Sequence, residues 1–235
     1  MIPCSRHARP RIAPASSHDK TPLPPSGNGV FPAWIGIGSN QGNPLRQCHR
    51  VLTALSRHRR LRLLAVSSFY RTEPVGFLHQ PWFVNAVALF STTLHPLTLL
   101  NLLQCLERRF GRTRRNEPKN GPRAMDLDLL FHGRRIQRHP RLILPHPGIP
   151  HRRFVLVPLA EISPWLKHPL SDKIIDLLLE ETDDVSQVMD FSHCRKTQAF
   201  PVTPTPGYRS GAVIQNRKSR TLKVGQASRI PRIHG

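Results

Sequence analysis

The chain has 235 residues and a formal net charge of +21, because 35 Lys and Arg stand against 14 Asp and Glu. Only 38% of it is hydrophobic and 24 residues are proline, so we expect part of the chain to lie outside any packed core. No apolar run approaches the roughly 20 residues of a membrane-spanning helix, so we expect no integral membrane protein. A charge of this size ordinarily suggests a polyanionic partner such as nucleic acid.

More than half of the net charge lies at the two ends of the chain. Residues 1–30 are basic and rich in proline, and residues 191–235 contain nine Lys and Arg but no acidic residue. Both ends have few large apolar side chains, which predicts two disordered basic tails around one ordered domain at 31–190. Contact of the tails with nucleic acid would be weak and salt-sensitive. The four cysteines include no C-x-x-C pair and suit a reducing compartment, so we expect a cytoplasmic protein.

The first half of the ordered region predicts a strand, a helix and two further strands. Residues 33–38 form a short apolar run that ends in a turn. Asn43 and Pro44 are an N-cap residue and a first helical residue, and apolar residues follow at helical spacing. Residues 62–72 and 83–93 are rich in β-branched, aromatic and apolar residues and are separated by a Pro/Gly loop, which predicts two strands.

The second half predicts another helix and a fourth strand. Pro96 begins the helix, its leucines form one stripe, and Gly111 suits the position just after a helix. An arginine-rich loop follows, and then a strand over residues 124–131. The order β-α-β-β-α-β indicates an α+β protein with a ferredoxin-like two-layer sandwich, followed by short helices at 154–161 and 174–180. RNA-binding modules share this topology, so the fold alone does not give the function.

The sharpest chemical feature is Asp126-Leu127-Asp128 in the fourth predicted strand. Side chains alternate along a strand, so the two aspartates project from one face, and Leu127 from the other. Two carboxylates about 6–7 Å apart repel each other unless a cation lies between them, which suits Mg²⁺ completed by phosphate oxygens and water. The tripeptide alone equally allows two solvent-facing acids.

The loop before the aspartates is strongly basic. A triphosphate bound as its Mg²⁺ complex needs both signs of charge close together, and this loop could supply the positive one. Arg123 is the candidate for stabilising charge in a transition state. On the preceding helix, Gln104 and Glu107 lie opposite the leucine stripe, a face that is ordinarily solvated. The basic residues of the loop are Arg112, Arg114, Arg115, Lys119 and Arg123.

An aromatic, loop-rich stretch surrounds the third predicted strand. Phe83 and Asn85 share one face of that strand, where an aromatic plane and a carboxamide could hold a flat heterocycle with amide-like edges. When this stretch is read in isolation, a core phenylalanine beside a turn-stabilising asparagine explains the two residues better.

Seven segments together, in order and with matching spacing, carry a resemblance over residues 33–180. They are I-G-I-G-S-N at 35–40, S-S-F-Y-R-T-E-P-V-G at 67–76, Q-P-W-F-V-N-A-V at 80–87, E-R-R-F-G-R at 107–112, N-G-P-R-A-M-D-L-D-L-L at 120–130, L-P-H-P at 144–147 and R-R-F-V-L-V-P-L-A-E-I-S-P at 152–164. With them the chain resembles the 6-hydroxymethyl-7,8-dihydropterin pyrophosphokinase family of the folate pathway. The resemblance implies transfer of a pyrophosphoryl group from ATP to the hydroxymethyl oxygen of the pterin, with release of AMP.

The resemblance also assigns roles to individual residues. Asp126 and Asp128 would ligate two Mg²⁺ ions, and together with Arg112 and Arg123 they are the catalytic residues. For the pterin it implies backbone groups of Thr72 and Val75, the carboxamide of Asn85, and a ring sandwich of Phe83 and Phe154. The implied ATP-binding positions are Gln104, Glu107, Arg114, Lys119, Leu129, Arg141, Ile143, His146 and Arg152.

The chain departs from the family pattern at four positions, which bear on affinity and on closure of the loops over the site. Phe83 and Pro147 stand where some members have tyrosine, Asn120 where some have tryptophan, and Lys119 replaces an arginine. Three alternatives remain: a ferredoxin-like nucleic-acid-binding module, another metal-dependent nucleotidyltransferase, and a degenerate pterin-binding relative. The first lacks its usual basic aromatic motif, and the second would not need the pterin pocket. We expect a monomer whose partners are the two small substrates.

Overall fold

The computed structural model describes residues 29–112 and 120–191. Nearly all of the two predicted tails, and the centre of the arginine-rich loop with Arg114, Arg115 and Lys119, lie outside the described residues. Within these two ranges, no helix is long and apolar enough to cross a membrane.

The described chain is a mixed α/β structure built around an antiparallel sheet. Its elements in chain order are β1 (Phe31–Ser39), α1 (Pro44–Ser56), β2 (Leu61–Val66), β3 (Tyr70–Thr72), β4 (Phe83–Thr92), α2 (Pro96–Arg109), β5 (Asp126–His132), β6 (Gln137–His139), β7 (Leu142–Leu144), a 3₁₀ turn (Ile149–His151), α3 (Arg153–Ile162), α4 (Ile175–Glu181) and β8 (Val188–Asp190). The predicted α+β class is confirmed.

The sheet runs in the order β5-β1-β4-β3-β8, and β2 also pairs with β4. All these pairings are antiparallel. Strands β6 and β7 form a separate hairpin. The central position of β1 places its far end, at Gly38, between Asn85 of β4 and Asp126 of β5.

The larger core lies between one face of the sheet and helices α1 and α2. As predicted, Asn43 caps α1: its side-chain oxygen accepts a hydrogen bond from the backbone nitrogen of Arg46 at 3.0 Å. The apolar stripe of α1, with Val51 and Leu55, and that of α2, with Leu99, are fully buried against this face.

A second core covers part of the opposite face. Trp34 and Phe131 project from β1 and β5 on this side and pack with Leu156 of α3 and Ile175 of α4. The indole nitrogen of Trp34 donates to the hydroxyl of Ser163 at 2.9 Å. The two helices after the predicted sandwich therefore form part of the packed structure, because large apolar side chains on this face need cover.

The prediction of one continuous strand at 62–72 is wrong, because the chain forms two short strands. At the break, the Ser67 hydroxyl accepts from the backbone nitrogen of Val87 at 3.0 Å, and the Ser67 nitrogen donates to the Val87 carbonyl at 2.9 Å. The Ser67 hydroxyl thus takes the place of a backbone carbonyl as the acceptor for the Val87 nitrogen. Strands β2 and β3 then pair with different halves of β4.

Three short strands were not expected from the sequence. Hairpin β6–β7 lies between the predicted fourth strand and the predicted helix at 154–161, where no element was expected, and β8 lies at the boundary of the predicted carboxyl-terminal tail. Strand β8 adds to the edge of β3, where Tyr70 pairs with Asp190, and the Phe191 nitrogen donates to the Phe69 carbonyl at 2.9 Å. Strands of three residues carry too little pattern to be recognised without their partners.

Candidate active site

A cleft of about 320 Å³ opens where the ends of β1, β3, β4 and β5 meet. Eleven of its thirteen lining residues are ones that the sequence analysis singled out as site residues. The lining residues are Thr72, Glu73, Val75, Phe83, Asn85, Arg112, Asn120, Arg123, Asp126, Asp128, His146, Arg152 and Phe154.

The aspartate pair lies on the face of β5 that the alternation predicted. Asp126 and Asp128 line the cleft, whereas Met125 and Leu127 are buried in the larger core. Desolvation and the neighbouring Asp126 carboxylate raise the pKa of Asp128 to about 7, although the charge of Arg152 opposes this. The two carboxylates share the cleft and interact there, which favours the paired arrangement over two independent solvent-facing acids.

Both oxygens of Asp126 accept hydrogen bonds from arginines. Arg112 donates to Oδ1 at 2.5 Å and Arg123 donates to Oδ2 at 2.6 Å. Burial opposes the charged form of Arg112, but the carboxylates of Asp126 and Glu107 outweigh it and raise the pKa of this arginine. The arginines and the aspartates thus meet in one place, as the basic loop led us to expect.

Glu107 corrects the expectation that its face of the helix is solvated. It is 1% exposed, and its carboxylate pairs with Arg112 and accepts from the backbone nitrogen of Leu127 at 3.0 Å. This acid thus fixes both an arginine of the cleft and the first residues of β5. The helical spacing predicted which face of α2 carries Glu107. Only the packing of α2 against β5 shows that this face is covered at Glu107.

His146 and Arg152 also line the cleft. The backbone nitrogen of Gly148 donates to Nδ1 of His146 at 3.1 Å, so the ring carries its proton on Nε2, which lies 4.0 Å from the Asp128 carboxylate. Burial and the nearby charge of Arg152 lower the pKa of His146 to about 4. The imidazole is therefore a neutral hydrogen-bond donor at neutral pH.

The other half of the cleft is aromatic and amide-lined. The Asn85 amide donates to the Thr72 hydroxyl at 2.7 Å, which fixes the direction of the carboxamide. Phe83 and Phe154 both line this half, and the guanidinium of Arg152 lies 5.8 Å from the Phe154 ring centroid. The arrangement can hold a flat ring beside the aspartate pair.

Several predicted ATP-binding residues, among them the buried Glu107, do not line the cleft. The Leu129 side chain is buried in the larger core, so only its backbone can face a ligand. Arg141 is exposed and donates to Asn101 at 2.5 Å, and Ile143, about half exposed, lines a separate groove beside the β6–β7 hairpin. Gln104 is half-buried on α2 and does not line the cleft, and Arg114 and Lys119 lie outside the described residues.

Two lining residues were not predicted as site residues. Glu73 directly follows Thr72 in the T-E-P segment. Asn120 adopts a left-handed backbone conformation, with φ of 61°, at the start of the N-G pair. That dipeptide is a turn signal, and it could have indicated that the chain bends back over the cleft here.

The fold and the cleft define a class before any comparison: an α+β protein with the carboxylate pair and arginines of nucleotide-dependent phosphoryl transfer. A family model described as 7,8-dihydro-6-hydroxymethylpterin-pyrophosphokinase (HPPK) matches residues 34–164, more than half of the chain. The chain belongs to this family.

Individual relatives agree with this assignment. The chain is 42% identical over 154 residues to the 2-amino-4-hydroxy-6-hydroxymethyldihydropteridine pyrophosphokinase of Haemophilus influenzae, a match that covers 66% of this chain and 95% of the relative. It is 41% identical over 145 residues to the enzyme of the same name from Pseudomonas aeruginosa, covering 62% and 88%. The folic acid synthesis protein fol1 of Pneumocystis carinii is 37% identical over 169 residues, covering 71% of this chain and 22% of that protein.

Among solved structures, the crystal structure of Plasmodium falciparum HPPK-DHPS wild type with pteroate is similar in fold, with a TM-score of 0.54 at 13% identity. The match covers 65% of this chain and 42% of that chain. None of these similarities favours the nucleic-acid-binding module or an unrelated nucleotidyltransferase.

Proposed function

We propose that this protein transfers a pyrophosphoryl group from ATP to the hydroxymethyl oxygen of 6-hydroxymethyl-7,8-dihydropterin, a step of folate biosynthesis. The hydroxyl oxygen forms a bond to the β-phosphorus of ATP and loses its proton, the bond to the α,β-bridging oxygen breaks, and AMP leaves. The observation that carries this proposal is the joining, in one cleft, of the aspartate pair and arginines with an aromatic, amide-lined pocket.

Asp126 and Asp128 fit a pair of Mg²⁺ ions. Their carboxylates are hard oxygen ligands on one strand face. Burial and the neighbouring Asp126 carboxylate both raise the pKa of Asp128, and a divalent cation would favour its charged form. Among the described residues there is no group of three or more His, Cys, Asp or Glu that could hold a metal. A pair of carboxylates completed by phosphate oxygens and water is an ordinary Mg²⁺ site. Bound there, Mg²⁺ would neutralise the phosphates of ATP.

Arg112 and Arg123 supply positive charge to the transferring group. Their bonds to Asp126 hold both guanidinium groups beside this carboxylate. Phosphate oxygens that bind next to Asp126 therefore meet hydrogen-bond donors already in place. Neutral His146 adds a donor near Asp128, and Arg152 adds positive charge to the same cleft. Electrostatic stabilisation by fixed donors is usually the largest part of catalysis in phosphoryl transfer.

The pterin occupies the half of the cleft formed by β3, β4 and α3. Phe83 and Phe154 provide faces for stacking, and the Asn85 carboxamide, fixed by Thr72, reads the amide-like edge of the ring. Backbone groups of Thr72 and Val75 supply the remaining hydrogen bonds to that edge of the pterin. The hydroxymethyl group would then point towards the aspartate pair.

We also infer the arrangement of the rest of the molecule. The strand order β5-β1-β4 with β2 and β3 beyond supports the ferredoxin-like arrangement, in which α1 and α2 lie on one face. We propose residues 31–190 as the catalytic domain, with Gln104, Arg114, Lys119, Leu129, Arg141 and Ile143 at the nucleotide end. A monomer, and weak salt-sensitive contact of the tails with nucleic acid, stay predictions.

The proposed function is tested by measuring AMP formation by chromatography, with and without the hydroxymethyl-dihydropterin. We expect AMP from MgATP only when the pterin is present. Asp126→Asn and Asp128→Asn are expected to lower the rate about 10³-fold or more, because each removes a carboxylate that the two metal ions require. Asp172→Asn is a matched control, since Asp172 is an exposed acid that pairs with Lys167.

Full activity of either aspartate variant would contradict the metal site. AMP formed without the pterin would contradict the acceptor. If the protein formed no AMP but bound nucleic acid at nanomolar affinity in 0.2 M salt, the nucleic-acid-binding module would replace this proposal.

A further inference from the structure

A buried asparagine lies behind the catalytic cleft and is not one of its lining residues. Asn40 directly follows β1 and is 3% exposed. Its side-chain oxygen accepts from the backbone nitrogen of Arg123 at 2.8 Å, and its own backbone nitrogen donates to the Arg123 carbonyl at 3.1 Å. Asn40 therefore holds both backbone polar groups of Arg123.

The other end of the same carboxamide is also bonded. Its nitrogen donates to the Gln80 side-chain oxygen at 3.0 Å and to the Pro81 carbonyl at 3.0 Å. Gln80 in turn donates to the carbonyls of Phe77 at 2.6 Å and Asn120 at 2.8 Å. Two amide side chains thus tie the end of β1 to the loop before β4 and to the segment that carries Arg123.

These contacts hold the backbone of Arg123, whose side chain must lie close to the Asp126 carboxylate. The guanidinium of Arg123 reaches Asp126 Oδ2 at 2.6 Å across only three residues of chain, so a shift of the Arg123 backbone moves it relative to the carboxylate pair. Arg123 belongs to a segment with few regular backbone bonds, since β5 begins only at Asp126. Asn40 replaces the missing sheet contacts with two bonds to this one residue.

We propose that Asn40 is a positioning residue, which acts on the reaction by fixing the backbone of Arg123 so that its guanidinium meets the transferring phosphates. This inference rests on the proposed function. Asn40 is itself absent from the cleft lining, and both ends of its carboxamide are bonded, the oxygen to Arg123 and the nitrogen to Gln80 and Pro81. Its effect on the rate therefore passes through Arg123.

The test is a double-mutant cycle on the full chain with Asn40→Ala, Arg123→Ala and the combined variant. Misplacement of a catalytic group by about 1 Å can cost about 10²-fold in rate, so we expect Asn40→Ala to lower kcat about 10- to 100-fold. The KM for ATP should change much less, because the contact of Arg123 strengthens in the transition state. In the Arg123→Ala background, Asn40→Ala should cost less than about 3-fold, since its target is gone.

Two further variants separate positioning from folding. Asn40→Asp keeps the acceptor for the Arg123 nitrogen but loses the donor to Gln80 and Pro81, so it should recover part of kcat. Thr92→Val removes another buried polar group with two hydrogen bonds, from the opposite end of β4, and should lower the free energy of unfolding without lowering kcat. Urea unfolding gives the stability of each variant.

Losses in kcat that simply multiply in the combined variant would overturn the inference, because Asn40 would then act independently of Arg123. An unchanged kcat in a folded Asn40→Ala protein would overturn it as well. The proposed function is judged separately, by pterin-dependent AMP formation in the unmodified protein.

Discussion

At the scale of single residues, Gly38 shows how a missing side chain shapes the cleft. A Cβ atom at this position would lie 2.6 Å from the side-chain oxygen of Asn85, closer than two such atoms can approach. At Gly36, two residues earlier on the same strand, a Cβ would meet only Leu130 and Asp128 at 3.6 Å or more, an ordinary contact. Of the two glycines in the I-G-I-G segment, only Gly38 is therefore a position where an added side chain would displace its neighbour.

We predict that Gly38→Ala raises the KM for the pterin about 10-fold, because the Asn85 carboxamide must move away from Thr72. Gly36→Ala is the matched control on the same strand and should stay within about 2-fold of the unmodified protein. Steady-state kinetics with varied pterin measure both. Equal KM values for the two variants would contradict the role given to Gly38.

His132, at the end of β5, makes the stability of the fold depend on pH. Its Nε2 donates to the Leu94 carbonyl at 2.9 Å, whereas the buried Nδ1 has no partner among the described residues. Burial, together with the charges of Arg135 and His95, lowers the pKa of His132 below its usual 6.5, and burial lowers that of His168 as well. Burial is the largest of these effects, so the folded state resists protonation of the ring.

Since the unfolded chain binds this proton more readily, His132 should lower the free energy of unfolding as the pH drops below about 6.5. His132→Gln keeps a donor for Leu94 but cannot titrate, so the loss of stability should be smaller. His146 and His168 still lower the stability in this pH range, whereas Asp128, whose pKa is raised, acts in the opposite direction in both proteins. Urea unfolding at pH 7.5 and 5.0 measures the difference. The exposed His79→Gln is the control and should reproduce the unmodified slope; the same slope in His132→Gln would refute the assignment.

At the scale of elements, Glu161 joins helix α3 to the break between β2 and β3. Its carboxylate accepts from the backbone nitrogen of Ser68 at 2.8 Å, from the Ser68 hydroxyl at 3.0 Å and from the Tyr70 hydroxyl at 2.9 Å. Burial and this carboxylate raise the pKa of Tyr70. The break frees a backbone nitrogen from the ladder, and a helix residue satisfies it.

We predict that Glu161→Ala lowers the free energy of unfolding by about 1–2 kcal/mol, because three hydrogen bonds to one carboxylate are lost at a partly exposed site. It should also lower the pKa of Tyr70, visible as tyrosinate absorbance at lower pH, with Tyr70→Phe as the spectroscopic reference. Glu180→Ala on α4 is the control for losing an exposed acid. An unchanged Tyr70 titration in Glu161→Ala would show that the contact is not made.

At the scale of the whole molecule, the net charge of +21 does not by itself point to the two small substrates. The residues assigned to substrates all lie between 72 and 154, in the described part of the chain or in the short segment 113–119. The strongly basic ends contribute none of them. The charge that bears on the reaction is the local cluster of arginines beside Asp126.

We predict that a protein reduced to residues 29–191 keeps pterin-dependent AMP formation within about 3-fold. Its affinity for DNA at low salt should fall, because the phosphate contacts of basic segments dominate such binding. The same preparation can be assayed for AMP by chromatography and for DNA by fluorescence anisotropy at two salt concentrations. Loss of AMP formation with the shortened chain still folded would show that an end takes part in the reaction.

The sequence predicted regular elements well where the pattern was long. Local sequence alone predicts the cap at Asn43. It also predicts that Asp126 and Asp128 share one face of their strand, and that Phe83 and Asn85 share one face of theirs. It failed where an element depends on distant partners, as in the break at Ser67 and the strands of three residues. Those elements form because β4, β3 or α3 lies opposite, and no local signal encodes that.

Sequence alone determined the residue types that the reaction needs and their place on helices and strands, because side-chain direction follows from the periods of 3.6 and 2. Only the tertiary structure decided which of them act together. Glu107 is buried against Arg112 and Leu127, the Leu129 side chain faces the core, and Asn40 lies behind Arg123. The physical reason is that burial and hydrogen-bond partners arise from the packing of segments remote in the chain.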